Sequence, residues 1–365
     1  MHHFIFANKD TTLYSDDIDQ NTGKDEILEI IKQPFSASYT GVVSGTLLSR
    51  ALVNFDITAI SKSIVSGEIS SDARFYLNMY VCSAEGQPET TSLYIYPASQ
   101  SWIQGVGKRY DSIPRHDGAS WQYNDGEILS TWDTLGSNPM SGSDHEAVVQ
   151  LWSDENTFQT SGHYTYELAD LRADVTEIVY QWLSGSFVNN GFLVKRTGSQ
   201  EEDGRKYGII RFYSTDTHTV YNPKLEVAWD DSTFATGSLT GSDATDLFVY
   251  VKQMQQIYNN RDIIRLKVGS RTKYPAKSYV TSNAYNVDWY LPTSSYYSIV
   301  DSQTEETLIP FDTGSTKLSC DSNGNYFNLK LNGLHPERYY RVKIKVVSGS
   351  FQQVFEIPQS FKVVR

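Results

Sequence analysis

Apolar and polar positions alternate with a period of two along most of this chain. In residues 50–57, Leu52, Asn54 and Asp56 share one face while Val53, Phe55 and Ile57 share the other, the pattern of a strand with two distinct sides. Residues 75–81 and 92–97 repeat that period. Joined through the turn residues Glu85, Gly86, Gln87 and Pro88, they are predicted to pair as a hairpin. Further strand-like runs fall at 3–7, 11–14, 26–30, 191–195, 209–213 and 222–227, and beyond residue 246 at 247–250, 263–268, 287–291, 327–331 and 340–344. One segment changes period. Val175, Ile178, Val179 and Trp182 stand at i, i+3, i+4 and i+7, Asp174 and Glu177 have the spacing of a capping box, and Gly185 is a C-terminal stop. That predicts one short helix in an otherwise all-β chain. Glu201, Glu202, Asp203 and Gly204 then read as a hairpin turn, because Asp-Gly accepts positive φ.

Between residues 98 and 162 the periodicity fades and Gly, Ser, Asp and Trp take over, Trp102, Trp121, Trp132 and Trp152 among them. A stretch of that length predicts long loops over one end of a sandwich, and such loops commonly carry function. A second break, rich in Ser, Thr and Gly, spans 232–245. It divides the chain into an expected β-sandwich at 1–231, jelly-roll-like with one helix, a linker at 232–245, and an immunoglobulin- or fibronectin III-like sandwich at 246–365. In the last of these, Leu334 lies six residues before Tyr340 with Pro336 between. This is similar to a tyrosine corner, in which the Tyr340 hydroxyl bonds back to backbone near Leu334. Trp289 is the candidate core tryptophan.

The 365 residues are enough for two domains, and 25 tyrosines with 13% aromatics suit strands and contact surfaces. A formal charge of −12 without a Lys/Arg cluster argues against nucleic acid and anionic membranes as partners. Cys82 and Cys320 fall on opposite sides of the expected boundary, so both read as reduced thiols of a cytosolically assembled chain. The first residues show no secretory leader, and no apolar run is long enough to span a bilayer.

Candidate chemistry is sparse. Asp17, Asp19 and Asp25, with Asn21 and Gly23 between, suggest a calcium loop, but Thr22 and Leu28 stand where the turn glycine and bidentate glutamate belong. A solvated acidic turn is the simpler account. His116, Asp117, Asp144, His145, Glu146 and His163 lack metal-ligand spacing, and Ser186 has no nucleophile elbow around it. With 43 acids, a carboxylate pair alone does not indicate a glycosidase. No catalytic residue, cofactor or metal is therefore expected, and the chain reads as a non-enzyme. Among the loop aromatics, Trp102 and Trp121 are expected to pack, whereas Tyr110 and Trp132 are the binding-surface candidates.

An ordered series of motifs carries a resemblance to a known domain. Arg50 precedes an apolar run ending in Phe55-Asp56. Ser101-Trp102 with Gly105 and Ser120-Trp121 follow, then the helix from Asp174, Phe212-Tyr213-Ser214, and Pro223-Lys224-Leu225-Glu226-Val227. Over about residues 8–229 the chain resembles the carbohydrate-binding-like β-sandwich called the DNRLRE domain, from which the insertion between Trp121 and Tyr164 departs. The opening residues 1–6, Lys9-Asp10-Thr11 and Gln100-Ser101-Trp102 are also similar to uncharacterised virion structural proteins of large contractile-tailed bacteriophages of marine bacteria. That resemblance implies a structural component of tail, baseplate, neck or head surface, assembled in the host cytoplasm and contacting other virion proteins, with homo-oligomers open. The alternative is an adhesin module that recognises host surface glycans; a polysaccharide-degrading enzyme is the reading with least support.

Overall fold

The computed structural model describes residues 1–36, 44–87, 93–134, 170–196, 198–242, 246–274 and 289–365. Over these the protein is all-β, with three short helices, Thr58–Val65, Thr176–Leu183 and Gly198–Glu202, where the sequence predicts one. The chain divides into two compact units. The first comprises Ile5–Lys62 and Arg74–Glu226; the second comprises Met1–Phe4, Ser63–Ala73 and Val227–Arg365.

The first unit is built on a seven-stranded sheet. Its order is Val81–Glu85, Gly208–Tyr213, Ile27–Ser36, Ser44–Asn54, Phe192–Lys195, Tyr94–Pro97, with Lys9–Tyr14 also paired to Ser44–Asn54. In a second sheet Arg74–Met79 pairs antiparallel with Leu171–Asp174. The predicted hairpin of 75–81 with 92–97 does not form. Arg74–Met79 pairs with Leu171–Asp174, while Tyr94–Pro97 pairs with Phe192–Lys195 in the other sheet. Alternation marks a segment as a strand and says which residues share a face, but the partner is chosen by burial across the whole unit.

The helix Thr176–Leu183 lies where its period places it, and Val175, Ile178, Val179 and Trp182 are all buried. Gly185 ends it at φ +77, a conformation that glycine adopts without a Cβ clash. The capping box is absent: Val175 is the N-cap and makes no side-chain cap bond. Asp174 instead ends a strand and accepts the Thr176 N–H at 3.0 Å. Trp182 packs against Phe192 with ring centroids 4.7 Å apart. Trp182→Ala should therefore cost the first unit about 3–5 kcal/mol, with Gln181→Ala nearly silent. Equal urea midpoints for the two variants would show that this face does not carry the core.

The turn expected at Glu201–Gly204 is replaced by the helix Gly198–Glu202. Its Glu201 is buried and faces two cations, with Glu201 Oε2 2.8 Å from Arg50 Nη2 and 2.8 Å from Lys195 Nζ. An Asp-Gly pair favours a turn only while nothing else claims the neighbouring residues.

The second unit contains a sandwich. One sheet orders Leu247–Lys252, Ile263–Thr272, Gly324–Lys330 and Ser319–Asp321. The other orders Ile257–Asn259, Phe351–Val364, Tyr339–Ser348, Ser295–Asp301 and Thr307–Ile309. Apart from the short Ile257–Asn259, this is the strand order of an immunoglobulin-type sandwich. Tyr340, fully buried, donates its hydroxyl to the His335 carbonyl at 2.8 Å, beside buried Leu334. The core tryptophan expected at Trp289 is corrected. Trp289 is only half-buried, in a two-residue strand paired with Thr240–Gly241. Tyr297 and Phe327, stacked at 4.2 Å, fill the core instead. Cys320 is buried and Cys82 half-buried, and both are free thiols.

Candidate binding surface

In the first unit the loops around residues 15–25 and 98–131 are tied together by one side chain. Asn21, fully buried, donates through Nδ2 to the carbonyls of Gln104 (2.7 Å) and Ala119 (2.9 Å), and its Oδ1 accepts the N–H groups of Gly23 (3.1 Å) and Gly107 (2.9 Å). All four hydrogen-bonding positions of the amide are used on backbone. Gln20 adds Nε2 bonds to the carbonyls of Asn21 and Lys108, both 2.8 Å. Glycine is required where the loops close on this amide. A Cβ on Gly105, at φ +73, would lie 2.4 Å from Asn21 Oδ1, and one on Gly118 would lie 2.6 Å from Asn21 Nδ2.

The calcium candidates turn to other tasks in this arrangement. The Asp25 carboxylate accepts the Arg109 N–H at 3.2 Å, and burial pushes its pKa up to about 6. The Asp19 carbonyl lies 2.9 Å from His116 Nδ1. Asp17 is raised by burial and by the neighbouring Asp19 and Asp16 charges. Among the described residues no three His, Cys, Asp or Glu side chains gather as a metal site. Asp144, His145, Glu146, Trp152 and His163 lie outside the described residues.

Beneath the loops is an apolar floor of Leu13, Leu52, Ala98, Trp102, Ala119, Trp121, Trp132 and Leu193. Trp102 and Trp121 pack there as expected. Trp132 does too, at 4% exposure, and this corrects its reading as an exposed residue. Its Nε1–H reaches the Ser120 carbonyl at 2.8 Å, so the indole has both an apolar seat and an acceptor. Tyr110, by contrast, is 89% exposed. It shares the loops with exposed Ile103, Val106, Ile113, Ile128 and Leu129. Leu129 is held at φ +56, which costs a residue with a Cβ and persists only where surrounding structure enforces it. Sequence reasoning missed Asn21 as the organiser. Asn-x-Gly followed by the glycines at 105, 107 and 118 is a signal only once the two loops are known to meet.

A buried acid stands at the edge of the same loops. Asp10 accepts the Thr215 N–H at 2.7 Å and the Thr215 hydroxyl at 2.9 Å, and Lys24 and Asp216 form an ion pair at 2.9 Å. Burial pushes the Asp10 carboxyl up to about 7 despite those bonds. The folded protein thus holds a proton that the unfolded chain releases near pH 4, and stability should fall as pH rises from about 4 to 7. Asp10→Asn should flatten that slope, which is worth about 2–4 kcal/mol over the window. Urea midpoints that stay level or rise between those pH values would contradict the assignment.

No protein-family model matches the chain, and no curated protein does. Among solved structures, a DUF4785 family protein of Legionella pneumophila is similar at 8% identity and TM-score 0.17, covering all of this chain and 65% of that one. The β-glucuronidase of Parabacteroides merdae is similar at 8% identity and TM-score 0.20, covering 99% of this chain and 35% of that one. The chain thus spans less than two thirds of either protein, and likeness at this level carries no argument about fold or activity.

Proposed function

We propose that this chain is a non-enzymatic structural protein of a bacteriophage particle, a component of tail, baseplate, neck or head surface, acting through contacts with other virion proteins. The carrying observation is the loop surface of the first unit, where exposed apolar side chains are presented on backbone fixed by Asn21. A pre-ordered surface loses little entropy on docking, and aromatic and aliphatic anchors supply most of the energy of an interface. The resemblance of residues 1–6, 9–11 and 100–102 to phage virion proteins supplies the setting. Buried charges add support, because the sets formed by Arg50, Glu201 and Lys195 and by Tyr14, Glu29 and Arg211 are bonded to one another rather than turned to solvent. Among the described residues no helix is long and apolar enough to cross a membrane.

Mass spectrometry of purified virions should find the chain. The triple variant Tyr110→Ser, Ile113→Ser, Ile128→Ser should stay folded when isolated yet enter particles about tenfold less or worse, as expected when interface anchors are removed. Particles without the chain, or with the variant at the normal level, would defeat the proposal. The alternative is an adhesin module that recognises host surface glycans, as the resemblance of about residues 8–229 to a carbohydrate-binding-like domain implies.

A further inference from the structure

Basic and aromatic side chains gather on one face of the second unit. Leu247–Lys252, Ile263–Thr272 and Gly324–Lys330 are adjacent strands, and their alternation sends Val249, Leu266 and Phe327 into the core. The intervening positions form the outer face. There Phe248 is opposite Arg271, Lys252 is opposite Lys267, Lys267 is in turn opposite Tyr326, and Arg265 is opposite Asn328. These strands contribute no Asp or Glu. At the margin, Asp231 accepts from Asn328 Nδ2 at 3.1 Å, and that carboxylate is paired with the Met1 ammonium at 2.9 Å. The cluster is invisible along the chain because its cations stand at alternate positions of two strands.

The rings seat the cations. The Arg265 guanidinium lies 4.2 Å from the Tyr326 ring centroid and that of Arg271 lies 4.4 Å from the Phe248 centroid, a contact that orders the guanidinium plane. Tyr250 lies across Gly269, where a Cβ would fall 2.5 Å from Tyr250 Cζ, so glycine is what lets this ring rest on the sheet. Arg265 and Lys267 are exposed and enter no ion pair among the described residues. Like charges placed directly opposite, as Lys252 and Lys267 are, disfavour sheet pairing.

The complementary charge lies on the same chain. The first unit holds 28 Asp and Glu against 16 Lys and Arg, and the second holds 15 against 15. The loops of the first unit carry exposed Asp19, Asp111 and Glu127 together with exposed Ile18, Ile113 and Ile128. Those acids and aliphatic groups match the cations and the exposed Phe248 and Ile263 of the sheet face. We propose that this sheet face of one copy docks the acidic loop surface of the first unit of a second copy. The contact is heterologous, since two different surfaces meet, and it builds rings or open arrays. A single-stranded nucleic acid fits less well. Its bases would have to displace Arg265 and Arg271 to stack on the Tyr326 and Phe248 rings, and the acidic first unit repels a polyanion. The inference rests on the reading of those loops as a protein-contact surface and names a partner for them.

Sedimentation velocity of the purified full chain tests it. Mean mass should rise with protein concentration and fall back as NaCl is added, because exposed charges are screened. Arg265→Glu with Lys267→Glu should weaken association about tenfold or more, and so should Asp19→Lys with Asp111→Lys and Glu127→Lys, since like charges then face each other across the contact. All five side chains are exposed, so urea midpoints should match the wild type. An equimolar mixture of the two variants should associate again, because each supplies the surface that the other has lost. A wild type that stays monomeric at every concentration, association that survives either variant, or a mixture that stays dissociated would each overturn the proposal. Oligothymidylate bound by a monomeric wild type and lost in the sheet variant would assign the face to nucleic acid instead. Virion incorporation of the Tyr110 variant is a separate readout, so self-association can fail while the protein-contact reading stands.

Discussion

Asn21→Ala should destabilise the first unit by about 3–5 kcal/mol and loosen the loops that carry Tyr110. The substitution leaves two carbonyls, of Gln104 and Ala119, and two N–H groups, of Gly23 and Gly107, without their partner in a site with no solvent access. Each unsatisfied buried group costs about 1–3 kcal/mol, and relaxation of the loops recovers part of the sum. Asn21→Asp should be no better tolerated. It keeps the acceptor but sets a carboxylate oxygen against the two carbonyls. Asp17→Asn and Asp19→Asn should stay within about 0.5 kcal/mol, as ordinary surface changes do. Urea unfolding followed by tryptophan fluorescence suits the measurement, because Trp102, Trp121 and Trp132 form the floor under these loops. If the aspartate variants matched Asn21→Ala, the loop would be organised by its carboxylates, and a bound cation would become the better explanation.

Glu201→Ala is expected to cost a similar amount, about 3–5 kcal/mol, because it strands the buried Arg50 and Lys195 without the carboxylate between them. Arg50 lies over Trp121 at 4.5 Å, so the loss should reach the apolar floor as well. The pH dependence has a definite sign. Burial, with the Arg50 charge, already lowers Lys195 to about 8. Without Glu201 it falls further, so the folded variant sheds a proton that the unfolded chain keeps until near 10.5. The variant should therefore regain stability as pH rises through 8. Replacing all three residues by well-packed apolar ones should be close to neutral, since desolvating an ion pair offsets most of its attraction. A Glu201→Ala loss that is small and flat with pH would mean that the cluster is hydrated.

Local chemistry was enough to reveal part of this protein. The period-two runs at 209–213 and 340–344 became strands, because a half-buried strand must alternate whatever it pairs with, whereas the run at 50–57 is strand only as far as Asn54 and is buried on both faces there. The helix at Thr176–Leu183 and its stop at Gly185 were legible for the same reason: its buried stripe is written within eight residues. The Tyr340 hydroxyl bond was legible because donor and acceptor lie five residues apart. What depended on distant chain was not. The partners of Arg74–Met79 and Tyr94–Pro97, the helix that Glu201 joins and the burial of Trp132 were settled by residues from about 12 to more than 150 positions away. Asn21 shows the limit most clearly. In sequence it is one residue of an acidic run that imitates a calcium loop, and only the fold brings Gln104, Gly107 and Ala119 to its amide. A sequence carries its short-range pattern on its face, whereas a site is a coincidence of long-range neighbours that only the packed core determines.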